Sequence, residues 1–180
     1  MLQIDNRAWL VWAAWMLIFP GNWLISALTA AIIHELFHIA AILLLGGKIR
    51  CIITGPIGSV IEVQDLTSFQ EAICAVTGPL GSFLLVLWIR RFPILGICAL
   101  VQGLFNCLPV YPLDGGRFLR CVLEQVIPTY AYQIAISVEV LTFLLLLCGS
   151  ILLTARYSWG PAPIALTTLL TAHAILRKRP

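Results

Sequence analysis

Two histidines four residues apart, with a glutamate directly after the first, sit inside an apolar run from Trp23 to Leu45 as His34-Glu35-Leu36-Phe37-His38. At about 100° per residue on a helix, His34 and His38 fall within roughly 40° of each other, and Glu35 lies about 60° from His38. Two imidazoles on one face can share one ion. The carboxylate then stands beside the ion's open position, where it takes a proton from water rather than ligating. A lone histidine in an apolar helix is usually a satisfied core residue. Two histidines and a glutamate at hydrocarbon depth are costly unless paired, coordinated or neutralised. A chain with three histidines and five glutamates among 180 residues acquires this spacing by accident on the order of once in a thousand.

A catalytic zinc site takes a third protein ligand, and the acids are few: Asp5, Glu35, Glu62, Asp65, Glu71, Asp114, Glu124 and Glu139. Asp114 closes the run Asn106-Cys-Leu-Pro109-Val-Tyr-Pro112-Leu-Asp114-Gly115-Gly116-Arg117. Two prolines break the helix there, and two glycines let backbone approach a neighbour, so a carboxylate is expected on unwound chain at membrane depth. The plainer reading makes Asp114 the N-cap of a helix over 116–127. Glu139, inside an apolar helix with Gln133 and Ser137 nearby, is the rival: a ligand, or a polar contact between helices. Asn106, one turn after Gln102, can hold a substrate carbonyl or a developing oxyanion, or make an interhelical hydrogen bond.

These side chains must be positioned by elements immersed in lipid. Of 180 residues 61% are hydrophobic and 11% charged, with mean hydropathy +0.99, a composition outside the soluble globular range. The chain reads as an all-α polytopic membrane protein of about six transmembrane helices. Candidate spans lie at 23–45, 71–89, 94–108, 131–153 and 159–176. A shorter run, 8–20, carries Trp9, Trp12 and Trp15 and is cut off by Pro20-Gly21-Asn22, so it is a tilted first span or a re-entrant piece. The N-terminus lacks the basic region and cleavage site of a signal peptide. Six crossings place Arg7, Lys48, Arg50, Arg117, Arg120, Arg177, Lys178 and Arg179 on one side and Arg90, Arg91 and Arg156 on the other. The first side, with both termini, is expected to be cytosolic and the protein multi-pass in a cell membrane. The net charge of +3 is spread over loop ends, which argues for topology and lipid headgroups and against a nucleic-acid surface. The six cysteines have no Cys-x-x-Cys spacing and mostly occupy apolar runs, where they pack as small hydrophobes. One domain over 1–180 is expected.

Between the second and third spans, Lys48–Thr54 and Ser59–Val63 are rich in β-branched residues and flank Gly55-Pro56-Ile57-Gly58. This predicts a small membrane-associated β-hairpin. Its unpaired edge can take an extended peptide by strand addition, exposing a bond that a helix would shield; otherwise it is a surface ribbon.

His-Glu-Leu-Phe-His on one helix, with Asn-x-x-Pro-x-x-Pro-Leu-Asp-Gly-Gly-Arg on a later one, resembles the site-2 protease family of intramembrane zinc metalloproteases. Gly55-Pro56-Ile57-Gly58 before Glu62-Val63, and Thr77-Gly78-Pro79-Leu80, are most similar to its stage IV sporulation FB group. The resemblance implies Zn2+ held by His34, His38 and Asp114, Glu35 as catalytic acid/base, and Asn106 as a substrate or oxyanion contact. It further implies cleavage of a membrane-associated protein such as a sigma-factor precursor, with the bilayer and membrane inhibitor or regulatory proteins as partners. Three departures stand out. Phe37 replaces a usual glycine, Leu80-Gly81-Ser82 runs where many relatives place an asparagine, and no appended CBS or PDZ domain is expected. The competing class is a non-proteolytic membrane zinc binder or carrier. It would need ionisable stations beyond this cluster, for which only Glu139 offers itself.

Overall fold

The computed structural model describes residues 2–4, 20–55, 58–157 and 167–168. The expected runs 8–20 and 159–176 therefore lie outside the described residues, apart from 167–168, which are helical. The elements are β1 (Leu2–Ile4), α1 (Gly21–Leu44), β2 (Lys48–Gly55), β3 (Gly58–Gln64), α2 (Ser68–Val86), α3 (Pro93–Asn106), α4 (Asp114–Val126) and α5 (Ala131–Tyr157). They fall into two compact units, Met1–Cys107 and Leu108–Pro180.

In the first unit, α1, α2 and α3 pack against one another. Helix α1 starts after Pro20 and ends in a Schellman arrangement: Gly47 N–H donates to Ile42 O and Gly46 N–H to Leu43 O. Gly46 supplies the positive φ of +81° that this turn requires. Its buried residues Ala30, His34, His38, Ala41 and Ile42 share one face, while Ile25, Leu28, Ile32, Leu36 and Leu43 are exposed. That is the pattern of a lipid-bathed helix whose inward stripe carries polar side chains. Helix α2 opens with a capping box, Thr67 accepting from Gln70 N–H while the Gln70 side chain accepts from Thr67 N–H. Gln70 Nε2 also donates to Leu45 O at 3.3 Å, tying the start of α2 to the end of α1. Pro93 at the first position of α3 brings a preset φ and no wasted donor.

The hairpin forms as the residue pattern predicts, β2 and β3 being antiparallel from Lys48↔Gln64 to Gly55↔Gly58. Sequence reading missed its third strand, β1, which pairs in parallel with Ile52–Thr54 of β2 and makes the order β1-β2-β3. Three residues carry too little periodicity to announce a strand, since their pairing depends on contact with distant chain. Ile61 of the sheet joins Ala41, Ile42 and Cys74 in a core ringed by Ile39, Leu45, Ile49, Val63 and Leu66, which seats the sheet on the ends of α1 and α2.

The second unit pairs α4 with α5. Gly21–Leu44, Ser68–Val86 and Ala131–Arg156 are long and apolar enough to cross a membrane. With Pro93–Asn106 as a shorter apolar helix, the described residues hold three such spans, two of the six expected runs lying outside them. At 14 residues, α3 is about 21 Å long against a hydrocarbon core of about 30 Å.

Candidate metal centre

His34 and His38 project from successive turns of α1 and are 3% and 5% exposed. Their rings meet edge to face, centroids 4.9 Å apart, with the two Nε2 atoms 3.3 Å from each other. The far nitrogens are held by α2. His38 Nδ1 lies 2.8 Å from the Cys74 carbonyl oxygen, an acceptor only, so Nδ1 carries the proton and Nε2 presents a lone pair. The same carbonyl accepts from Thr77 Oγ1 at 2.7 Å. His34 Nδ1 shares a 2.9 Å hydrogen bond with Ser82 Oγ, which is fully buried. When His34 donates there, both Nε2 lone pairs face one another, an arrangement that repels unless a cation or a shared proton joins them.

Gly78 of α2 keeps that meeting point open. A methyl on its Cα would stand 2.8 Å from His34 Nε2 and 2.5 Å from His38 Cε1, and closer still to His38 Nε2. These lie well inside the roughly 3.5–4.0 Å at which nonbonded heavy atoms settle. Two oriented imidazoles and a notch that a single carbon would fill thus fit a first-row divalent cation.

Phe37 and Gly81 explain each other. A methyl at Gly81 would lie 2.5 Å from Phe37 Cγ, so the ring on α1 occupies the space that a side chain on α2 would need. The bulk at the fourth motif position is matched by a gap in the facing helix, and the next residue, Ser82, supplies the polar support for His34.

Glu35 is half-buried. Its carboxylate has no partner among the described residues, which leaves it available for proton transfer. Asn106, the last residue of α3, donates one amide hydrogen to Gln102 O at 3.1 Å. The bond is within its own helix, and the second amide hydrogen remains for another acceptor.

In the second unit Asp114 is the first residue of α4 and is 7% exposed. The helix begins at Asp114 itself, with Leu113 in extended conformation at the cap position, rather than over 116–127 with Asp114 before it. Glu139, the rival ligand, is 1% exposed. Its Oε1 accepts from Arg120 Nη2 at 2.8 Å and from Tyr111 N–H at 3.2 Å, so its carboxylate is an internal anchor of this unit and not an open ligand. The sequence marked Gly78 and Ser82 only as parts of family-like runs and the Cys74 carbonyl not at all, because the role of each comes from a helix–helix approach. His34 and His38 in the first unit and Asp114 in the second are each buried.

A sequence profile described as peptidase family M50 matches residues 85–148, a stretch holding Asn106, Asp114 and Glu139 but not the histidines. The zinc metalloprotease MJ0392 of Methanocaldococcus jannaschii is 29% identical over 122 residues, 60% of this chain and 36% of that protein. The match thus spans little more than a third of the relative's length. A solved structure titled site-2 protease from Methanocaldococcus jannaschii shares the fold, with a TM-score of 0.71 at 23% identity over 99% of this chain and 91% of that one. The chain is thus similar to M50 peptidases over residues 85–148 and along part of a zinc metalloprotease, and shares its fold with a site-2 protease.

Proposed function

We propose that the protein is an intramembrane zinc metalloprotease in which His34, His38 and Asp114 hold the ion. The observation that carries this reading is the convergence of two Nε2 atoms at 3.3 Å before a glycine notch. A zinc ion bound there supplies Lewis acidity to water and to the scissile carbonyl. Glu35 takes the proton from the attacking water and returns one to the leaving amine, so that hydrolysis balances within one carboxyl group. The remaining amide hydrogen of Asn106 donates to the oxygen on which negative charge builds. The Cys74 carbonyl fixes the tautomer of His38, and Ser82 holds the plane of the His34 ring, so that both Nε2 atoms are directed inward.

The substrate is a membrane-associated protein, unwound near the scissile bond. Strand β2 is flanked on both sides, whereas β3 keeps an outer edge among the described residues. Pairing along Gly58–Gln64 would hold a peptide extended. On the motifs quoted above we further place the chain nearest the stage IV sporulation FB group, in a bacterial cell membrane with both termini cytosolic, acting on a precursor such as that of a sigma factor.

The test is cleavage of membrane-tethered precursors by the protein reconstituted in liposomes. Glu35→Gln is expected to retain zinc and abolish cleavage, and full activity in that variant overturns the reading. Zinc movement into sealed vesicles without proteolysis would instead make the protein a carrier. Against that role, Glu139, the station a carrier would need, is held by Arg120 and the Tyr111 amide.

A further inference from the structure

The second unit carries a polar cluster that the proposed chemistry does not use. Glu139 lies in the first third of α5, and its Oε1 accepts from Arg120 Nη2 at 2.8 Å and from Tyr111 N–H at 3.2 Å. The Arg120 guanidinium carbon is 4.1 Å from the centroid of the Tyr111 ring, so Tyr111 is held by its amide from α5 and by its ring from α4. Gly116 adds a third constraint. A methyl there would lie 2.5 Å from Val110 O and would collide with the Val110 carbonyl carbon and Tyr111 N, so α4 backbone packs directly on the same run.

That run, Leu108–Leu113, delivers Asp114, and its two prolines leave its own amides few backbone bonds: Val110 N–H donates to Leu108 O and Leu113 N–H to Val110 O, each at 2.8 Å. The Tyr111 amide is satisfied by Glu139 instead. A buried ion pair is a poor source of stability in apolar surroundings, whereas one whose carboxylate also fixes a loop amide sets that loop's position.

We propose that Glu139 and Arg120 are positioning residues that fix the Val110–Leu113 segment, and through it the Asp114 carboxylate, for metal ligation. This rests on the reading of Asp114 as a ligand. Residues that orient a metal ligand typically contribute 10–100-fold in affinity, and members of one network lose it together rather than additively.

The experiment is zinc affinity of the purified full chain by competition with a chromophoric chelator, read beside the absorption spectrum of the Co2+-loaded protein and the thermal midpoint of the metal-free form. Glu139→Ala and Arg120→Ala are each expected to weaken zinc binding about 10–100-fold and to alter the cobalt bands. The double variant is expected to be no weaker than the worse single one. Glu139→Gln keeps an oxygen for the Tyr111 amide and should recover part of the loss. Variants with a lowered midpoint but wild-type zinc affinity and cobalt spectrum overturn the proposal, leaving the pair a packing device. Where the alanine variants do not fold, Glu139→Gln and Arg120→Lys decide, and unchanged affinity in both overturns it. Asp114→Asn run in parallel separates the two levels. Wild-type zinc affinity there sinks the ligand reading itself, whereas loss there with no change in the Glu139 and Arg120 variants sinks only the positioning role.

Discussion

Replacing Gly78 with alanine is the smallest change aimed at the metal-binding face. The added carbon would stand 2.8 Å from His34 Nε2 and nearer to His38 Nε2, where nonbonded heavy atoms settle at about 3.5–4.0 Å. Relief requires α2 to retreat, or the rings to swing, by about 1 Å. Either motion exceeds the roughly 0.2 Å tolerance of a metal–ligand distance. It also disturbs the bonds from Nδ1 to Ser82 and to the Cys74 carbonyl, since both partners lie on the helix that must move. Zinc affinity should therefore fall by more than the 10–100-fold typical of an orienting residue, with overpacking costing about 1–3 kcal/mol in stability. Affinity by chelator competition and zinc content by mass spectrometry measure this. Gly149→Ala is the control, because a methyl there meets nothing within 4 Å, and it should bind zinc normally. A Gly78→Ala protein with wild-type zinc affinity would refute the argument that this glycine keeps the ion's place open.

Other consequences are open to direct measurement. Ser82→Ala removes the partner of His34 Nδ1 and should weaken zinc binding about 10–100-fold without unfolding the protein, as titration with the same chelator will show. Gly81→Ala collides with Phe37 and should lower the thermal midpoint, whereas adding Phe37→Gly should recover most of the loss. Additive effects of those two changes would contradict the contact. Glu35→Gln should reduce peptide cleavage by at least about 10²–10⁴-fold at unchanged zinc content. Asp114→Asn should lose both metal and cleavage.

The local grammar of the chain was legible where few residues settle the outcome. An apolar run from Trp23 to Leu45 gives α1 within two residues of its ends, since Pro20 and the Gly46-Gly47 pair stop the helix chemically. β-branched residues around Gly55-Pro56-Ile57-Gly58 give the hairpin, and the histidine spacing gives two rings on one face. Asp114 before a helical run looked like a cap, yet the helix begins at Asp114 itself, and Leu113 precedes it in extended conformation. Glu139 looked like a competitor for the metal because its partner, Arg120, is 19 residues away on another helix, and no periodicity announces such a pairing. Phe37, read on α1 alone, stood out only as a replacement for a usual glycine. Its accommodation by Gly81 becomes visible only when α1 and α2 are packed together.

X-ray absorption at the zinc edge of the purified protein tests the central claim most directly. The account predicts a first shell of nitrogen and oxygen at about 2.0–2.1 Å, with the outer-shell signature of two imidazoles, lost together with the bound zinc in His34→Ala and in Asp114→Asn. A sulfur shell near about 2.3 Å, or a spectrum indifferent to His34→Ala, would contradict it.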